Sequence, residues 1–220
     1  MSGVGQARNP GLRDPGLAAL ARLAAIDADI AGAWTLIGDP PPRRQPKGFP
    51  GLLHAIVAQQ ISAAAARAIW SRLETLGPVT AAAYLTFKDE QLRAAGLSRP
   101  KIAYAHALAT AIAERHLDLA RLHRLGDEDA VAELTKLRGI GRWSAEVYLL
   151  FSLGREDAWP ADDLALQTAA QRLKRLERRP SRTGLIELAE PWRPWRGAAA
   201  RFLWHYYAAT RRPPTPPLQR

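Results

Sequence analysis

Two helix-patterned stretches lie only five residues apart in this chain, and the gap between them, Leu137-Arg138-Gly139-Ile140-Gly141, limits how they can fold. Residues 127–136 read as a short amphipathic helix, with Asp127 as N-cap and Val131, Leu134 and Leu137 on one face. Residues 142–153 read as a second helix, with Trp143, Val147, Leu150 and Phe151 at helical spacing. So short a connection makes a hairpin of helices. Glycines at 139 and 141 permit positive φ and the close approach of another backbone. The N–H groups at the start of the second helix would point outward, where an anion can sit. Small helical proteins also turn this way without binding anything, so the hairpin alone leaves nucleic-acid binding open.

Charge narrows the choice. The chain has 31 Lys+Arg against 21 Asp+Glu, a formal charge of +10, and a sequence pI near 10.6. Such a balance suits a polyanion bound with counterion release, although solvated arginine faces would give the same totals. With 220 residues there is ample chain for a core in one or two domains. The absence of cysteine excludes disulfides, Cys-ligated zinc and iron–sulfur clusters. The five histidines, His54, His106, His116, His123 and His205, show no metal-binding spacing. No signal peptide and no membrane-length apolar run is evident, so the expectation is a soluble, cytoplasmic protein without a membrane partner.

Residues 1–15 and 211–220 read as disordered tails. Between them helix dominates: 18–25, 30–37, 51–76 with a break at Gln59-Gln60-Ile61-Ser62, 81–87, 90–95, 100–116, the hairpin pair, 163–176, 183–189 and 195–210. Ser62 is placed to cap the helix after the break. No segment alternates long enough to make a strand. The glutamine pair inside an apolar stretch must either be hydrogen-bonded within the fold or exposed to a ligand. Trp159-Pro160-Ala161-Asp162-Asp163 puts two carboxylates at a helix start, where they could cap or do chemistry.

The hairpin, the downstream aspartates, Phe49 through Ser62, Gly96-Leu97-Ser98-Arg99-Pro100-Lys101 and Pro194-Trp195-Arg196 occur in one order. This set resembles the helix–hairpin–helix (HhH-GPD) DNA glycosylases, in particular the AlkA-like 3-methyladenine DNA glycosylase II branch, from about residue 20 to residue 210. The resemblance implies an all-α, two-lobed fold with a cleft between lobes. One lobe would comprise 16–47 plus 156–210, and the other 48–155, with the hairpin at about 127–153. The AlkA-like N-terminal β domain is expected to be absent. Such proteins flip a damaged base and hydrolyse its N-glycosidic bond.

By the same resemblance Asp163 is the catalytic carboxylate, which leaves Asp162 to cap. Trp143 stands where lyase-competent relatives carry a Schiff-base lysine, so the chain reads as monofunctional, leaving an abasic site. Trp204 matches a pocket aromatic able to stack on a cationic N3- or N7-methylpurine. Trp143 and Val147 complete the substrate pocket, and Val147 replaces a tyrosine expected in some pockets. DNA contacts fall to Gly139, Ile140, Gly141, Arg142, Ser144, Gln59, Gln60, Ser62 and Lys101, with Gln60 filling the gap left by the flipped base. No organic cofactor is implied, but a monovalent cation (Na+ or K+) can bind the main-chain oxygens of Thr135, Leu137 and Ile140. The implied partner is double-stranded DNA with alkylated bases, bound by a monomer associated with the nucleoid through that DNA. Two rivals are a non-catalytic helix–hairpin–helix binding or damage-sensing protein, and a Mg²⁺ nuclease using Asp162 and Asp163. The nuclease lacks a second acidic cluster.

Overall fold

The computed structural model describes residues 15–211, and among them every regular element is helical. In chain order the helices are α1 (Pro15–Ile26), α2 (Ala28–Ile37), α3 (Phe49–Ala58), α4 (Ala63–Leu76), α5 (Ala81–Tyr84), α6 (Asp89–Ala94), α7 (Arg99–Ala113), α8 (Leu119–Arg124), α9 (Asp127–Thr135), α10 (Arg142–Tyr148), α11 (Leu164–Leu173), α12 (Arg182–Leu188) and α13 (Arg196–Arg211). A π-helical turn, Leu149–Leu153, follows α10, and a 3-10 turn, Glu190–Trp192, follows α12. The expected tails lie outside the described residues except for Pro15 and Arg211, which are the ends of α1 and α13.

The described residues divide into two compact units, one of Pro42–Asp162 and one made of the helices before Pro42 together with those after Asp162. These limits differ from the 47 and 155 read from the sequence, and local contacts say why. The Pro/Arg loop is held by the continuous unit: Gln45 N–H donates to the Phe151 carbonyl (3.0 Å), and Arg43 lies over the Phe151 ring. At the other limit, Arg155 donates to the carbonyls of His123 and Leu125 (2.9 and 2.8 Å).

In the continuous unit α3 is apolar on almost every side. Phe49, Leu52, Leu53, Ala55, Ile56 and Val57 are all buried, against α4, α7 and α10. Gly51 allows the close packing, since a side chain there would strike the Pro46 carbonyl and Ser152. The helix breaks where Gln60 enters the left-handed region (φ 58°), and Ser62 Oγ then caps α4 by accepting from Ala65 N–H (3.2 Å). The cap of α9 is Gly126 rather than Asp127. Asp127, Glu128 and Asp129 occupy its first turn, where the helix dipole favours negative charge. Helix α8, unforeseen from periodicity, begins at Asp118, whose carboxylate accepts from Arg121 N–H (2.9 Å).

The other unit centres on α13, whose Ala198, Ala199, Ala200, Phe202 and Leu203 are buried, and which packs on α11, α1 and α2. Helices α7 and α11 both stop earlier than expected. Arg115 and Arg175 adopt positive φ (60° and 52°), and Leu176 N–H bonds back to the Gln171 carbonyl. No glycine marks either stop.

A charged cluster ties this unit together. Buried Asp27 caps α2 and accepts from Lys174 Nζ (2.6 and 2.7 Å) and from Trp192 Nε1 (2.8 Å). Asp29 also receives Lys174 (2.9 Å). Burial alone would push the Asp27 carboxyl up, but the hydrogen bonds from Lys174 and Trp192 outweigh it and hold the group below its ordinary value.

Candidate functional site

Asp163 is itself the N-cap of α11: its Oδ1 accepts from Leu166 N–H (2.9 Å). The division of labour expected from the sequence, with Asp162 as the cap, is therefore corrected. Asp162 is exposed in the preceding turn, because Asp163 is the residue with extended backbone just before the helix. Trp204, on α13, donates its indole N–H to the same Asp163 oxygen (3.1 Å). Both side chains are half-buried. One carboxylate oxygen is thus pinned by a backbone amide and an indole, which fixes the group's direction. The sequence had offered Trp204 as a stacking surface only.

His205, next on α13, places Nε2 3.2 Å from the Ile37 carbonyl, a contact to α2 rather than a free imidazole. His54, in the continuous unit, lies tilted against Trp70 (5.1 Å between ring centroids). Burial, with help from Arg43, lowers its proton affinity.

The hairpin joins α9 to α10. Gly139 has φ 89°, and a side chain there would overlap the Tyr104 ring. The close approach foreseen from the glycines is made by that ring, not by another backbone. Gly141 differs from the expectation. Its φ is −87°, it is exposed, and nothing lies within 4 Å of an added Cβ. Its small size leaves open space outside the start of α10. Ile140 buries its side chain and anchors the turn.

Several residues assigned to DNA contact have other work for their side chains. Gln59 Nε2 donates to the Gly139 carbonyl and to Ser144 Oγ (2.8 Å each), and Ser144 is buried. Lys101 Nζ donates to the carbonyls of Val57 and Gln59 (2.8 Å each), and burial lowers its proton affinity. Arg142 pairs with Glu128 (2.7 Å to Oε2) and Glu146 (2.9 Å). These groups build the surface instead of offering free charges to a phosphate. Gln60 and Ser62 are exposed, so the glutamine pair splits, one bonded inside and one facing solvent. Arg138, exposed on the hairpin and without an ion pair among the described residues, is the contact candidate that sequence reading missed. Trp143 is half-buried and Val147 buried, one turn apart on α10.

Residues 53–194 match the HhH-GPD superfamily base excision DNA repair protein family, and the chain belongs to it. Among relatives, DNA-3-methyladenine glycosylase 1 of Schizosaccharomyces pombe is 32% identical over 190 residues, covering 83% of each chain. The solved structure of the Schizosaccharomyces pombe 3-methyladenine DNA glycosylase in complex with abasic DNA superposes with a TM-score of 0.77 at 31% identity, covering 85% of this chain and 95% of that one. A DNA-3-methyladenine glycosidase from Bacillus halodurans gives 0.73 at 28% identity, covering 93% and 94%.

Proposed function

We propose that the chain is a base-excision-repair DNA glycosylase that releases N3- and N7-alkylated purines by hydrolysis and leaves an abasic site. The observation that carries this reading is Asp163, held at the start of α11 by Leu166 N–H and Trp204 Nε1 in a chain of this family. As the N-glycosidic bond lengthens, positive charge builds on the sugar. A fixed carboxylate beside C1′ stabilises that charge and can take the proton of the attacking water. Because both donors act on Oδ1, the group needs little reorganisation during the reaction. A methylated purine is already cationic and leaves without a strong acid. The Trp204 ring supplies a surface for it, worth about 1–2 kcal/mol by cation–π attraction.

No amine stands at position 143, so no Schiff base forms there and the strand stays intact. Trp143 borders the base, while Val147, expected beside it, is buried and offers almost no surface; Gln60 fills the gap the base leaves, and Gly139–Gly141 with Arg138 engage the phosphates. Thr135, Leu137 and Ile140 would hold a monovalent cation through main-chain oxygens, where it would add positive charge to the hairpin. Leu137 O accepts one bond, from Ile140 N–H, which leaves a lone pair for such an ion. The partner is duplex DNA with alkylated bases, met by a monomer.

Incubation with duplex containing N3-methyladenine in EDTA tests the reading. Free base released with the strand uncut is the expected result. Binding without release would mean a damage sensor, and Mg²⁺-dependent cutting a nuclease.

A further inference from the structure

Three elements of the continuous unit meet at the hairpin, and their contacts close on one another. Helix α3 ends at Ala58, and the next two residues are the exposed left-handed Gln60 and, before it, Gln59. Gln59 reaches across to the hairpin, donating through one nitrogen to Gly139 O and Ser144 Oγ. Helix α7 supports both sides. From its first turn Lys101 binds the carbonyls of Val57 and Gln59, which α3 leaves without helical donors. One turn on, Tyr104 lies against Gly139 so closely that no Cβ could stand there.

From this closed set of contacts we infer that Gln59 is a positioning residue for base flipping, with Lys101 as its support: together they lock the Gln60 turn to the phosphate-gripping hairpin. The inference rests on the glycosylase reading above. The physical reason is that a single residue in the left-handed region is not the local preference of glutamine. It must be held there from outside. Gln59 and Lys101 supply four bonds that do so on its N-terminal side, two of them from Lys101 to the backbone carbonyls of Val57 and Gln59 just before the turn. A hairpin anchored on phosphates then fixes where Gln60 enters the duplex. Without the lock the hairpin would still bind DNA, but Gln60 would not be delivered when the base leaves the stack. That matters most where the base is well paired, since flipping costs most there.

The test is single-turnover base release by full-length protein from three DNAs carrying N3-methyladenine: opposite thymine, opposite a mismatched base, and in a single strand. Gln59→Ala is expected to slow release from the paired duplex on the order of 10-fold, the loss of roughly one buried hydrogen-bond pair. Release from the mismatch and the single strand should change by less than about 3-fold, and affinity for undamaged duplex should hold. Gln59→Glu should behave like Gln59→Ala, because it keeps the size but not the donation to Gly139 O. Lys101→Met keeps the aliphatic stem and should show the same selectivity, which secures the test if Gln59→Ala folds poorly. Thermal melting of each variant checks folding. Equal losses on all three DNAs, or no loss on the paired duplex, would overturn the inference. A wild type that releases no base from any of the three would refute the glycosylase reading, and the inference with it.

Discussion

Gly139→Ala and Gly141→Ala look alike in sequence and should part sharply in stability. At Gly139 the substituted alanine must hold φ near 89°, costing about 1–2 kcal/mol in an L-residue. Its methyl must also displace the Tyr104 ring, and such overpacking adds about 1–3 kcal/mol. Together these give a loss of about 3 kcal/mol, or a Tm lower by on the order of 10 °C for a chain of this size. At Gly141 the backbone is ordinary and the space open, so the cost is that of alanine as an N-cap, under about 1 kcal/mol. Its methyl nevertheless sits where a phosphate would approach α10. Thermal unfolding combined with binding to undamaged duplex separates the two. Gly139→Ala should melt early. Gly141→Ala should melt like wild type yet bind any duplex more weakly, damaged or not. A Gly139→Ala protein as stable as wild type would refute the argument from the ring and the backbone angle.

Other expectations concern single groups. Lys174→Met strands the buried Asp27 charge and should destabilise by about 2–3 kcal/mol, discounted from the buried-pair range because Asp29 and Lys174 are partly exposed; chemical denaturation reads it. Asp27 has a lowered folded pKa, so its stabilisation is complete above about pH 4 and is lost as pH falls through the folded value. Acid unfolding of Asp27→Asn should accordingly lack that limb, and an unchanged acid profile would contradict the assignment. Arg138→Ala should weaken binding to all duplexes alike and lower the salt slope by about 1, whereas Arg142→Ala should chiefly lower Tm. Borohydride should trap no protein–DNA adduct, because position 143 is an indole; a trapped adduct would mean one of the chain's lysines reaches the sugar.

The hairpin, the break at Gln59–Ser62 and a capping carboxylate at the start of α11 could be read from the sequence because each is written locally, whereas the role proposed for Asp163 came from the family resemblance. Glycines, a capping serine and an aspartate before an apolar helix sit within a few residues of what they affect. What Lys101, Gln59 and Trp204 do could not be read that way. Their partners lie 41 to 85 residues away, and the same lysine or glutamine would look identical facing a phosphate. Helix ends at Arg115 and Arg175 were hidden for a related reason: residues other than glycine took the left-handed position, held there by the fold. Asp118 and Asp27 were legible as caps, and weighing them would have found α8 and the start of α2.

Asp163→Asn bears most directly on the central claim. Asparagine caps a helix as well as aspartate and keeps an oxygen for Leu166 N–H and Trp204 Nε1, so the substitution removes charge and little else. Single-turnover release of N3-methyladenine from duplex DNA should fall by roughly 100-fold or more, with melting temperature and duplex affinity unchanged. Release at a rate near wild type would contradict the account, since the carboxylate would then not be what opposes the positive charge on the sugar.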